Sequence, residues 1–491
     1  MLRYACDVTC ALALACLALA LPAGPVCAAD ATDPAEAIQA GVAVVDITPP
    51  LGYRMSGYFH ERLSTGIKNP LKAKALVLAQ GHVRAAVVCC DLIGLAPDVS
   101  ARARQAAAKA TGIAPENILL AATHSHTGPL YFGALRQHFH EAAVAETGSD
   151  PRETVDYPAL LVERIAQAIA DAAAAVRPVC LAAATVEQLG LAFNRRFHMK
   201  DGTVRFNPGV LNPDIVRAAG PIDPGVGIVT LHPAGEGAEA ADETQAAAAP
   251  FAALVNFALH LDTVGGTEYA ADYPYFVEQR LREAWGDGFT LLFGTGTCGD
   301  INHVDVTTKE RLKTEAIGRA LGKTVAKAPR TPIAAPSLAM RSTTIRVPLQ
   351  AFADDEVAWA KEAIRKVGSS DLPFLEQVRA YKILDCETRR ADAPDGRTMP
   401  IEVQVIRLAP DAAVVGLPGE VFVDLGLAIK QASPFRATLV IELCQDAPGY
   451  IPTEKAFREG SYETVNSRVA PGGGERMVET AVRLLKELAG T

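Results

Sequence analysis

Two histidines stand at the end of an apolar run in Asn117-Ile118-Leu119-Leu120-Ala121-Ala122-Thr123-His124-Ser125-His126-Thr127-Gly128-Pro129. The run has the composition of a buried strand and Gly128-Pro129 marks a turn. Both imidazoles are therefore expected at a strand's carboxyl end, where ligands gather in α/β sheets. Such an HxH pair serves either as metal ligands or as hydrogen-bonded scaffolding. The pattern recurs in Ala253-Leu254-Val255-Asn256-Phe257-Ala258-Leu259-His260, which by itself is equally read as a structural histidine. It recurs again in Ala412-Ala413-Val414-Val415-Gly416-Leu417-Pro418-Gly419-Glu420, where the carboxylate could instead favour the N-terminus of a following helix. The run 438–443 leads through Cys444-Gln445-Asp446-Ala447-Pro448-Gly449 to Tyr450.

Brought to one point, His124, His260, Glu420 and Tyr450 would suit Zn²⁺. Zinc takes imidazole nitrogen and carboxylate oxygen at about 2.0 to 2.2 Å, and catalytic sites keep a position open. A tyrosine oxygen would be a weaker, movable fourth ligand. Asp262 and Asp272, near His260, are read equally as groups that orient ligands from behind and as acids of a surface loop. Cys298 reads as a buried thiol, and His138, His140, His198 and His303 as surface or locally hydrogen-bonded residues.

To position such a set the chain must supply several strands ending at one edge. Short apolar, β-branched runs occur at 42–47, 75–78, 85–90, 118–122, 226–231, 252–259, 291–293, 401–408, 412–417 and 438–443. Helical spacing of apolar residues lies between them at 154–176 and 309–328, and after them at 475–488. This alternation predicts an α/β fold, a large mixed, partly parallel β-sheet core flanked by helices. The Ala-, Gly- and Glu-rich segment 233–250 reads as a solvated loop between two strands. No internal repeat is found, so residues 36–491 are expected to form a single catalytic domain.

Residues 1–29 carry Arg3, an apolar run from Cys10 to Leu21, and small residues up to Cys27-Ala28-Ala29. That is the pattern of a secretory signal peptide, which predicts a secreted or periplasmic protein. No stretch is long and apolar enough to predict a transmembrane segment. Six cysteines follow the signal: Cys89, Cys90, Cys180, Cys298, Cys386 and Cys444. Export permits disulfides, yet Cys89 and Cys90 continue an apolar strand run and no CxxC exists, so a thiolate metal cluster is not expected. A formal charge of −9 argues against nucleic acid as a partner.

The segments THSHTGP, NFALH, LPGE and PGY resemble the zinc-binding segments of neutral, non-lysosomal ceramidases, in that family's order. Similarity extends to Asp46-Ile47-Thr48-Pro49-Pro50 with Met55-Ser56-Gly57-Tyr58, to Phe193-Asn194-Arg195-Arg196, and to Gly299-Asp300-Ile301-Asn302. It runs from about Gly41 to the C-terminus and covers the family's N-terminal catalytic domain. The resemblance implies zinc held by His124, His260, Glu420 and Tyr450. His126 and Arg195 then fall where the family polarises substrate, and Tyr450 could donate to an oxyanion. It further implies an amidase that cleaves an N-acyl bond by metal-activated water, with a ceramide-like lipid as default substrate. Peripheral contact with a membrane is compatible with such a substrate.

Two departures qualify this expectation. Asn302 occupies the position of the family's proposed catalytic serine, and an amide can hydrogen-bond a substrate but cannot form an acyl-enzyme. The family's enzymes usually continue into a β-sandwich domain, whereas this chain stops after the helix 475–488, so that sandwich is expected to be absent. The alternatives are a zinc hydrolase of another amide or ester, and a non-catalytic binding protein of the same fold.

Overall fold

The computed structural model describes residues 37–234, 249–333 and 335–490. The expected signal peptide lies outside the described residues, as does most of the expected 233–250 loop. Apolar runs pair into a large sheet whose strands, in chain order, are β1 (Gln39–Asp46), β2 (Lys72–Gln80), β3 (Val83–Cys90), β4 (Ile118–Ala122), β5 (Arg177–Glu187), β6 (Gly225–Pro233), β7 (Ala252–Phe257), β8 (Thr290–Thr295) and the short β9 (Thr331–Pro332). Across the sheet the order is β8-β7-β6-β5-β1-β2-β3-β4, with β9 on β5. All neighbours run antiparallel except two pairs, β3 with β4 and β7 with β8.

The single large sheet read from the sequence is joined by a second one. Strands β10 (Ala339–Pro348), β11 (Thr398–Ala409), β12 (Ala412–Gly416) and β13 (Ala437–Ile441) form it in that order, and its last pair is parallel. Leu119, Val229, Leu254 and Leu292 from the first sheet meet Ile406, Val414, Leu439 and Ile441 from the second in one apolar cluster. The outer faces are covered by helices. Pro97–Thr111 and Tyr157–Ala174 pack on β1 to β4, Tyr273–Trp285 and Thr314–Lys327 on β6 to β8, and Val423–Ala432 and Gly473–Ala489 on the second sheet. The result is four layers, helix, sheet, sheet, helix. Strands buried on both faces need apolar residues, which is why β4 and β12 read as unbroken apolar runs and β7 is interrupted only by Asn256, whose amide donates to Gly294 O and Val440 O.

The helix expected at 154–176 begins where the Asp156 carboxylate accepts from the Ala159 N–H at 3.0 Å, capping Tyr157–Ala174. Residues 309–313, expected to open the next helix, instead form an approach to Thr314–Lys327. Cys89, Cys90, Cys298, Cys386 and Cys444 are buried free thiols, and Cys180 is half-buried. Among the described residues no helix is long and apolar enough to cross a membrane.

Candidate metal centre and adjoining pocket

Each parallel strand pair contributes to one edge. His124 follows β4 by two residues, His260 follows β7 by three, and Glu420 follows β12 by four. Backbone bonds stitch these strand ends together across the two sheets. Ala122 N–H donates to Leu443 O at 3.1 Å, Gln445 N–H to Leu120 O at 2.9 Å and Glu442 N–H to Thr295 O at 2.9 Å. Glu420 and Tyr450 are register partners in a two-residue parallel ribbon, Glu420–Val421 with Tyr450–Ile451.

The strand after Ala122 turns sharply: His124 sits at φ 77, with its N–H on Leu92 O at 2.8 Å. Non-glycine residues avoid that region, and it costs on the order of 1–3 kcal/mol unless the surroundings enforce it. Here the turn aims the imidazole inward, with Nδ1 2.7 Å from Ile93 O. His260 likewise turns Nδ1 to Cys298 O, at 3.4 Å.

A ring nitrogen facing a carbonyl must carry the proton, so His124 and His260 both present bare Nε2 lone pairs to the centre. Those two atoms are 3.0 Å apart. His126 Nε2 lies 3.3 Å from the first and 3.1 Å from the second. Glu420 Oε2 stands 3.3 Å from His124 Nε2 and 3.9 Å from His260 Nε2. Facing lone pairs repel, and hydrogen bonds among three such nitrogens cannot satisfy them all. A cation does. Tetrahedral zinc at 2.0 to 2.1 Å from nitrogen sets ligand atoms about 3.3 Å apart, close to the observed triangle. The donor set therefore fits Zn²⁺.

Burial and the neighbouring His124 hold both His126 and His260 well below the ordinary imidazole range, keeping them neutral as metal binding requires. Burial would push the Glu420 carboxyl up, but His124, Arg195 and the Tyr450 hydroxyl outweigh it and keep the group below its usual range. Burial raises Tyr450 well above its ordinary value, so it remains a neutral hydroxyl, hydrogen-bonded with Tyr462 and Glu420. Arg195, buried, donates from Nε to Glu463 Oε1 at 2.9 Å and from Nη2 to Gly299 O at 2.7 Å, with its guanidinium 5.3 Å from the Tyr450 ring centre. The same Glu463 accepts from Arg196 at 3.0 Å.

The arginine segment and Gly299-Asp300-Ile301-Asn302 are paired with each other. Ile301 and Asn302 bridge Asn194 and Phe193, and the Asp300 carboxylate joins Asn194 Nδ2 to the N–H of Val423, each at 2.9 Å. Asn302 uses both ends of its amide locally, donating to Asn207 Oδ1 at 2.8 Å and accepting from Val304 N–H at 2.9 Å. It forms part of a pocket wall and stands apart from the histidine triangle. His126 turns Nδ1 towards Asp262, 3.7 Å away, and Asp262 is held by the Tyr58 hydroxyl at 2.8 Å. Asp272 shapes the loop after His260 through the N–H groups of Thr263 at 3.1 Å and Val264 at 3.3 Å.

Glu442, missed by sequence reasoning, is fully buried behind the centre. Its Oε2 accepts from Val421 N–H at 2.6 Å and Cys298 N–H at 3.2 Å, while Oε1 accepts from the Cys298 thiol at 3.0 Å. It thereby ties the residue after Glu420 to the residue whose carbonyl faces His260. Burial pushes the Cys298 thiol up, so that sulfur is a scaffold donor. A lone acidic residue within the apolar run 438–443 was the only signal available.

No protein-family model matches the chain, and no curated protein matches it significantly. Solved structures do. Neutral ceramidase from Pseudomonas aeruginosa aligns with a TM-score of 0.66 over 92% of this chain and 75% of that chain, at 18% identity. The fold is ceramidase-like. A ceramidase complexed with C2 aligns with a TM-score of 0.64 over the same shares, at 16% identity. At these identities the likeness is one of fold.

The ceramidase-like fold leaves three adjoining cavities beside the cluster. One of about 140 Å³ has an apolar wall of Ile93, Leu130, Phe132, Leu135 and Leu443, and reaches His124, His126 and Glu420. A second, about 340 Å³, runs along Phe59, Phe206, Phe374 and Tyr462. The third, about 520 Å³, is polar and runs past Asp262, Asn302, His303, Arg311 and Lys313. Tyr58 borders all three.

Proposed function

We propose that residues 36–491 form an exported zinc-dependent amidase that hydrolyses the N-acyl bond of a lipid-like amide, N-acylsphingosine being the default substrate. The observation that carries this reading is the convergence of the His124, His126 and His260 Nε2 atoms and the Glu420 carboxylate at the junction of an apolar and a polar cavity. The ceramidase-like fold supports it. In this proposal His124, His260 and Glu420 hold the ion, with Tyr450 beside Glu420. When bound, zinc supplies Lewis-acid polarisation of the acyl carbonyl and acidifies water.

The chain's own groups then divide the remaining work. Water oxygen adds to the acyl carbon, the C–N bond breaks, and the departing nitrogen must receive a proton. Arg195, fixed by Glu463 and Gly299, and the neutral Tyr450 hydroxyl face the developing oxyanion. His126, bordering the pocket and backed by Asp262, passes the proton. Asn302 serves the pocket wall, so Asn302→Ser is expected to retain activity and Glu420→Ala to lose it.

A second arrangement has its own observation. The His126 nitrogen is as close to the cluster as a ligand should be, which would make it the third nitrogen on the metal. Zinc content separates the two: His126→Ala keeps stoichiometric zinc if the residue moves protons and loses it if the residue is a ligand. For the activity itself, zinc-loaded protein is incubated with N-acylsphingosine and related N-acyl amides, and free fatty acid is followed. Release that disappears in Glu420→Ala supports the proposal, whereas no release from any amide overturns it.

A further inference from the structure

The walls of the three cavities differ in chemistry. The apolar cavity and the aromatic one share Gly57, Tyr58, Phe59, His126, Tyr450 and Tyr462, so a flexible chain leaving the centre past His126 meets continuous hydrocarbon and ring surface. The third cavity adjoins the aromatic one along Tyr58, Arg195, Asn207, His260 and Asp262. It is the largest of the three, and the only one of them lined by Arg311 and Lys313. Beside the aliphatic Val210, Val304, Val306 and Leu312 its wall carries Arg311 and Lys313.

That polar cavity is also electrostatically biased. Arg311 and Lys313 line it, and neither enters an ion pair or side-chain hydrogen bond among the described residues. His303 lines it too, and its buried Nδ1 has no hydrogen-bond partner. The one carboxylate in the wall, Asp262, is engaged by the Tyr58 hydroxyl and faces His126. Lys313 is also the N-cap residue of the helix Thr314–Lys327, and a lysine side chain has no acceptor to offer that helix. Its first N–H groups add to the positive potential. In a chain of formal charge −9, a wall where Arg311 and Lys313 outnumber the single carboxylate Asp262 is the feature of a site that selects an anion.

Resting on the amide-hydrolase reading of the centre, we propose that the preferred substrate is an N-acyl compound whose amine part is compact, polar and carries a carboxylate. Such an N-acyl amino acid would lay its acyl chain along the apolar and aromatic walls and its carboxylate towards Arg311, Lys313 and His303. Hydrolysis adds water across the C–N bond and yields a fatty acid and a free amino acid. Arg311 and Lys313 act on specificity and do not touch the reacting atoms.

The test compares N-hexadecanoylglycine with its uncharged methylamide and with N-hexadecanoylsphingosine, using zinc-loaded wild type and the Arg311→Gln/Lys313→Gln double variant. The acid is expected to exceed both neutral amides in kcat/KM by tenfold or more, through KM, and the double variant to collapse that ratio towards one. Calorimetric titration with the acid and its methylamide reads the same preference without turnover. Equal binding of the two by wild type, or a preference that survives in the double variant, overturns the proposal. If the acid binds preferentially but no amide is cleaved, the selectivity stands and the hydrolase reading falls.

Discussion

His124 and His260 are oriented by carbonyls behind them, and each offers a bare nitrogen to the other across 3.0 Å. What keeps them there is partly Glu442, whose two oxygens satisfy three buried donors. Glu442→Ala leaves the N–H groups of Val421 and Cys298 buried and unpaired, at about 1–3 kcal/mol each. Zinc affinity should then fall about 10–100-fold, as for other residues that orient metal ligands. Competition with a chelator measures this, with Glu442→Gln expected to recover part of the loss because it keeps one acceptor. Unchanged affinity in both variants would show that the buried carboxyl does not position the centre. At this scale His124, His260, Glu420 and Tyr450 were legible because each follows a readable strand. Glu442 was not, since nothing in the pattern of a lone acid near the end of the run 438–443 says that it faces inward.

The elements converge because strands of two sheets end at one edge, and the approach there is close. A Cβ on Gly299 would stand 2.4 Å from Glu420 O, a backbone atom with no room to retreat. Gly299→Ala should therefore displace the Glu420 ribbon and abolish zinc retention while the inter-sheet core holds the fold. Far-ultraviolet circular dichroism together with metal content checks both halves, and full zinc retention would contradict the packing argument. Ten apolar runs each became a strand, but two long strands went unread. β5, Arg-Pro-Val-Cys-Leu-Ala-Ala-Ala-Thr-Val-Glu, is rich in alanine, which intrinsically favours helix, and only its place between β1 and β6 makes it a strand. β10 alternates polar with half-buried residues and carries two arginines, a weaker signal than an apolar run.

For the molecule as a whole, two sheets back to back explain why one large sheet was expected: apolar runs do not say which sheet they join. The large interior also accommodates a costly charge. Lys382, 5% exposed, donates to Gln350 Oε1 at 3.0 Å above the Phe352 ring, and burial lowers its pKa to about 8. The folded value lies below the unfolded one of 10.5, so the unfolded chain binds the extra proton between these values and stability rises with pH across that window. Below about pH 8 the burial cost is constant and complete. Lys382→Met should thus raise the melting temperature at pH 7 and flatten the rise between pH 8 and 10, as thermal unfolding at both ends would show. A variant less stable than wild type at pH 7 would mean that the bond to Gln350 outweighs the burial.

The chemistry proposed for this fold depends on the centre where both sheets end, and metal content probes it most directly. Purified, zinc-reconstituted protein should retain about one zinc per chain, and His124→Ala and His260→Ala should each lose it while remaining folded. A wild-type chain that is folded yet retains no zinc, or variants that retain it as well as wild type, would contradict the account.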